Sequence, residues 1–145
     1  MKEITKIRKA VCTMANELKK AGYSLSQAFK KAWNRVKLSM TIRVTGTTFE
    51  NRQTCLKFLK HFPKEDLSIT LERELNNQYD KNAIKVVVHI KSIQRKCTIG
   101  YVPKGLAKEL SKVLDIGVQV KASLMDIIGG YDYKENLGML VNITI

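Results

Sequence analysis

Near residues 38–41 the apolar residues of this chain change their spacing. Before that point they recur every three or four positions, as on one face of a helix; beyond it they alternate, as on a half-buried strand. One periodicity cannot serve both states, so the chain divides into a helical segment, 1–38, and a strand-rich segment, 39–145.

In the first segment Ile4, Ile7, Val11, Met14 and Leu18 draw an apolar stripe opposite Lys2, Lys6, Lys9 and Lys20. Gly22 is placed to end that helix, because glycine accepts the left-handed backbone of a helix terminus. Ser24 followed by Gln27 has the spacing of a capping box, and Leu25, Ala28, Phe29, Ala32, Trp33 and Val36 would form the apolar face of a second helix. Phe29 and Trp33 are expected to hold this hairpin together or to dock it on the rest of the chain. Lys30, Lys31, Arg35 and Lys37 are expected on its other side.

In the second segment residues 41–45 alternate into Gly46, where a strand should end or kink. Residues 52–61 carry Cys55, Leu56, Phe58 and Leu59 at helical spacings, with Pro63 beyond as a stop. Residues 67–71, 83–88 and 97–102 read as strands, 105–113 as a helix, and 118–128 and 137–145 as two terminal strands. The turn between the last two is expected at Gly129-Gly130-Tyr131-Asp132-Tyr133. Many short strands with one or two helices predict a mainly β, small barrel preceded by the helical hairpin.

The chain has 145 residues, enough for one hydrophobic core, with 26 Lys and Arg against 13 Asp and Glu and a net charge of +13. A field of that size on so small a body calls for a polyanionic partner, and nucleic acid is the first candidate. The excess is concentrated in residues 1–37, where ten basic residues stand against two acidic ones, a net of +8. That basic face reads in three ways: as a solvated surface, as a phosphate-contacting patch, or as an element for a membrane surface or partner helix.

The connection between the strands at 67–71 and 83–88 is the richest in chemistry. Asn76, Asn77, Asp80 and Asn82 suit turns, since short amide and carboxylate side chains bond nearby backbone. Turn formation leaves Tyr79, an aromatic beside the acid Asp80, without an explanation. Arg73, Glu74, Asn76-Asn77, Tyr79-Asp80, Asn82-Ala83-Ile84 and Val86, followed by Ile99-Gly100-Tyr101-Val102-Pro103-Lys104, resemble the pattern of the HIRAN domain over roughly residues 41–145. The chain is expected to be a small stand-alone protein of bacterial or mobile-element type carrying such a domain.

The resemblance implies an OB-like or SH3-like barrel that binds the free 3′ end of single-stranded DNA. It places Asp80 as acceptor for the 3′-hydroxyl and Tyr79 and Phe49 against the last sugar and bases. Lys104, helped by Lys81 or Lys85, would meet the backbone phosphates, with Tyr101 on the pocket wall. Thr48 stands where the family's best-known member has an arginine, and Tyr101 where it has a histidine, so the phosphate clamp is expected to be weaker. Read from the residues alone, Asp80 also serves as a turn residue, Phe49 as core, Tyr101 as a buried ring with its hydroxyl bonded, and Lys104 as a solvated helix start.

Catalysis is not expected. No phosphate-binding Gly-x-x-x-x-Gly-Lys loop is present, and Glu72, Glu74 and Asp80, the one acidic cluster, lack the Glu-x-Lys spacing of a common nuclease motif. Cys12, Cys55 and Cys97 lie far apart without a Cys-x-x-Cys pair, so buried free thiols are expected rather than a zinc site or a disulfide framework. His61 and His89 are isolated. No cofactor or metal is expected. There is no apolar run of membrane-spanning length and no signal peptide, so a cytoplasmic protein is expected, with any helicase or nuclease partner on a separate chain. The competing class is an adaptor whose basic hairpin docks an acidic partner, or DNA without specificity.

Overall fold

The computed structural model describes residues 2–37, 40–131 and 134–145. The predicted turn residues Asp132 and Tyr133, the boundary residues Leu38 and Ser39, and the side chain of Lys37 lie outside the described part. In chain order the elements are α1 (Lys2–Lys20), α2 (Leu25–Lys37), β1 (Met40–Arg43), α3 (Arg52–Leu59), a short turn of 3-10 helix (Lys64–Asp66), β2 (Leu67–Arg73), β3 (Ile84–Ile90), β4 (Arg95–Tyr101), α4 (Lys104–Asp115), β5 (Lys121–Tyr131) and β6 (Lys134–Thr144).

The first helix ends as its sequence requires. Gly22 takes φ +107°, and Ser24 and Gln27 close a reciprocal capping box, each backbone N–H donating to the other's side chain at 3.3 Å. Ala10, Val11, Met14, Ala15 and Leu18 of α1 bury against Ala28, Ala32 and Val36 of α2. Val113 of α4 and Val118 complete this cluster, so α1 and α2 form a hairpin laid along α4.

The strands pair antiparallel in the order β1-β6-β5-β2-β3-β4. Alternation fills the concave side: Ile84, Val86, Val88 and Ile90 of β3 and Leu137, Met139, Val141 and Ile143 of β6 are buried with Leu56 of α3 and Ala107 and Leu110 of α4. The sheet curls until its two ends approach. Thr45, two residues past β1, exchanges both backbone hydrogen bonds with Tyr101 of β4 at 2.9 Å, which brings the sheet's outermost strands to one lip of an OB-like half-barrel. Only Gly fits opposite this bridge, because a Cβ on Gly100 would lie 2.2 Å from the Thr45 carbonyl oxygen.

Three expectations change. Gly129 and Gly130 are not a turn: they lie within β5 at φ +93° and +78°, where the β5–β6 register slips between Gly129 and Tyr131. They form a bulge, and a Cβ on Gly129 would meet the Asn136 carbonyl at 2.1 Å. Trp33 and Leu25 do not dock the hairpin, being 42% and 54% exposed; the smaller Ala28, Ala32 and Val36 make that contact, with Phe29 at its margin. Cys12 is exposed rather than buried, while Cys55 and Cys97 are half-buried and meet between α3 and β4. Burial, reinforced by Cys55, pushes the Cys97 thiol up to about 12.

Candidate nucleic-acid interface

The connection from β2 to β3 is shaped by its own short polar side chains. Asn77 Oδ1 accepts the backbone N–H groups of Tyr79 and Asp80, both at 2.8 Å, and Asp80 Oδ1 accepts that of Asn82 at 2.9 Å. Arg73 clamps the base of the loop, donating to the carbonyls of Ala83 and Lys81 at 3.0 and 3.1 Å while pairing with Asp115 of α4 at 3.0 Å. The turn reading and the ligand reading of Asp80 are therefore compatible: one carboxylate oxygen is committed to Asn82.

A loop fixed this way leaves the Tyr79 ring 93% exposed. Nothing in the fold needs it there. Thr45, Asn77, Tyr79, Asp80, Ala83, Tyr101, Val102 and Lys104 line a groove of about 190 Å³ beside the point where β1 and β4 meet. Lys104 opens α4 and is exposed on this groove.

Tyr101 forms the groove wall with its hydroxyl engaged. It donates to the Glu74 carboxylate, which holds Glu74 below the usual carboxylate range and raises the Tyr101 phenol above its own. Arg52, 8% exposed, covers the same ring, its Cζ 5.2 Å from the centroid, and its Nη1 donates to the Gly46 carbonyl at 2.6 Å. Gly46 turns at φ +73°, and a Cβ there would sit 3.0 Å from Arg52 Nη1, 3.7 Å from Phe49 and 3.8 Å from Tyr101. The loop carrying Thr48 and Phe49 is thereby tied to the groove wall. Phe49 is 66% exposed and is not core.

The structure thus brings Tyr79, Asp80, Tyr101 and Lys104 to one groove, with Phe49 outside its lining but near Gly46 and Tyr101; Thr48 is exposed on the same loop. Lys81 and Lys85 do not line it. Lys81 is exposed on the loop, and Lys85, paired with Glu72 and Tyr101 in register, lies where its charge acts on Glu74. In the hairpin Lys30 and Lys31 are exposed, Lys31 with its Nζ 4.8 Å over the Tyr23 ring. Arg35 leaves the proposed basic patch: it pairs with Glu109 of α4, and burial lowers its pKa.

Thr45 and Arg52 are absent from the expected set. Arg52 carried a signal, since a cation at the first position of a helix faces the positive end of the helix dipole and is placed there for another reason. Among the described residues no group of three or more His, Cys, Asp or Glu is arranged to hold a metal ion, and no helix is long and apolar enough to cross a membrane.

The model of the HIRAN domain family matches residues 37–137. No curated protein matches the chain. Two solved structures resemble it: the HIRAN domain of human HLTF, at 23% identity and TM-score 0.48 over 72% of each chain, and a protein from Lactobacillus plantarum, at 21% identity and TM-score 0.48 over 74% of this chain and 96% of that one.

Proposed function

This chain belongs to the HIRAN domain family, a family of DNA-binding modules, and we propose that it binds single-stranded DNA at a free 3′-hydroxyl end in the groove beside Asp80. The observation that carries this reading is the pairing of a 93% exposed Tyr79 with a half-buried Asp80 whose backbone is fixed by Asn77.

The chemistry follows from what a terminal nucleotide offers: a base face, a phosphate and a hydroxyl. The Asp80 carboxylate accepts the 3′-hydroxyl hydrogen bond, which is charge-assisted, and repels a 3′-phosphate at the same place. Ends are then distinguished without reading any base. Tyr79 and Phe49 supply stacking faces, each worth about 1–3 kcal/mol per base and tolerant of sequence. Lys104 meets the backbone phosphate. With Thr48 uncharged, the cation nearest the Phe49 loop is Arg52, which is already spent on Gly46 and Tyr101.

A module of this kind acts on DNA ends in repair, replication or mobile-element processing, in the cytoplasm and beside a helicase or nuclease on another chain. It is a binding module rather than an enzyme. Fluorescence anisotropy with matched oligonucleotides ending in 3′-hydroxyl or 3′-phosphate, on the native chain and on Asp80→Ala, tests the reading. Preference for the hydroxyl end, lost in the variant, supports it; equal binding of both ends by the native chain overturns it and favours the adaptor class.

A further inference from the structure

We infer that the exposed face of the α1–α2 hairpin is a second nucleic-acid surface, which holds the phosphates of the same strand several nucleotides before the 3′ end. The inference deepens the proposed end-binding and rests on it for the strand's starting point. Its own observations are independent of the groove.

The first is charge. Residues 1–37 carry a net +8, and Lys6, Arg8, Lys9, Lys19, Lys30 and Lys31 are exposed. Glu17 is paired with Lys20 at 3.2 Å, so its carboxylate does little to offset them. Arg35, the one described basic side chain of the hairpin that is turned inward, is matched by Glu109 and adds little to the outside field.

The second is what the hairpin no longer has. Its apolar side is spent: Ala10, Val11, Met14, Ala15, Leu18, Ala28, Ala32 and Val36 are at most 8% exposed. A lipid-binding helix needs a continuous apolar face to sink into the acyl boundary, and an interface with an acidic protein needs a desolvated core. What remains outside is one short stripe on α2, Leu25 at 54% exposed, the half-buried Phe29 and Trp33 at 42%, with Tyr23 at 39% and Ile4 at 56%, set among lysines. A stripe this short is too small to sink into an acyl boundary, and aromatic plates beside cations suit a phosphate backbone with unstacked bases.

The third is placement. The hairpin seats on α4 through Val113, and α4 begins at Lys104 in the groove. Nine residues of helix separate the two, about 14 Å at 1.5 Å per residue. The exposed face lies a further helix diameter outward, about 10 Å, so a strand needs about seven stacked nucleotides at 3.4 Å each to reach it. A second site joined rigidly to the first turns the next contact into an intramolecular one, so affinity should rise with strand length.

The test measures binding of 3′-hydroxyl oligothymidylates of 4 and 20 nucleotides, across salt concentrations. The native chain is set beside the Lys6→Gln/Lys9→Gln/Lys30→Gln/Lys31→Gln variant, with circular dichroism confirming its fold. The native chain should bind the 20-mer at least about tenfold more tightly than the 4-mer, and the variant should lose most of that gain while keeping the 4-mer within about twofold. The salt slope on the 20-mer should fall by about 0.7 for each phosphate contact removed, about 2–3 for four. An unchanged 20-mer affinity and slope in the folded variant overturns the inference, even where 3′-end preference holds. If instead the native chain shows no end preference but the variant still loses the 20-mer gain, the groove reading fails and the hairpin surface stands.

Discussion

Arg52 sits over the Tyr101 ring, its Cζ 5.2 Å from the centroid, while donating to the Gly46 carbonyl, so one buried guanidinium joins the groove wall to the loop that carries Phe49. The Tyr101 hydroxyl in turn holds Glu74. Replacing Arg52 by Lys keeps the charge but loses the planar face and the fork. We expect Arg52→Lys to cost about 1–3 kcal/mol by urea denaturation, from a cation–π contact and a charged hydrogen bond. It should also weaken the proposed 3′-end binding, with reduced quenching of a 2-aminopurine placed at the terminal base. Loss of stability with unaltered quenching would show that Arg52 does not set the Phe49 loop.

The Glu74–Tyr101 hydrogen bond sets a pH dependence. Glu74 is depressed, so its contribution is present above the unfolded carboxylate value and is lost as pH falls through the folded one. Tyr101 is raised, so its contribution is present below the unfolded phenol value and is lost as pH rises through the folded one. Tyr101→Phe should therefore be less stable than the native chain near neutrality and should lose less stability on acidification below the usual Glu range. Parallel stability curves for the two proteins down to acid pH would count against the bond.

Cysteine reactivity should separate by burial. Cys12 is exposed, whereas the Cys97 thiol, at about 12, is thiolate in only about one part in ten thousand at pH 8. Titration with an aromatic disulfide reagent should show one fast thiol, absent in Cys12→Ser, and the others only as the chain unfolds. Fast reaction of the Cys12→Ser protein would contradict the half-buried placement.

The Arg35–Glu109 pair fastens the hairpin to α4, with side chains 29% and 10% exposed. Removing one partner leaves a charge in a dry contact, so Arg35→Ala should cost about 1–3 kcal/mol, below the full buried-pair value because the guanidinium is partly solvated. The double replacement Arg35→Met/Glu109→Leu should recover most of it in thermal unfolding. A double variant as unstable as the single one would show that the pair is not the reason for the loss.

At Gly100 an added methyl would meet the Thr45 carbonyl and the Val44 side chain, the latter at 2.7 Å. Gly100→Ala should lower stability by about 3 kcal/mol or more, because the nearest obstacle is backbone and cannot turn aside. DNA binding should fall with it, as chemical denaturation and anisotropy on the same preparations would show. A variant of native stability would mean that the two edges close more loosely than described.

Features written in neighbouring residues were legible before the fold was. The Ser24–Gln27 box, the Gly22 stop and the strand alternation of Leu67 and Ile69 depend on spacings of two to four residues. Asn77 and Asp80 sit within one loop, and their place in a turn could be read from residue type. What failed was whatever depends on a distant partner. Gly129-Gly130 looks like a turn by itself; only Asn136 across the ladder makes it a bulge. Arg35 looks solvated until Glu109 arrives from α4, and the meeting of Cys55 with Cys97 has no local trace. The size of Trp33 suggests an anchor, whereas the close approach of the two helices favours alanines.

The bridge between Thr45 and Tyr101 spans 56 positions of sequence. Long loops close late, since their entropy is spent before the contact repays it. The groove therefore depends on a distant contact: β2, β3 and the loop at Tyr79 supply one wall, and Thr45 arrives from 56 positions away to complete the other. A chain loosened at either edge would carry the groove's residues without a groove, so DNA binding there would become a readout of whether this long-range closure has been made.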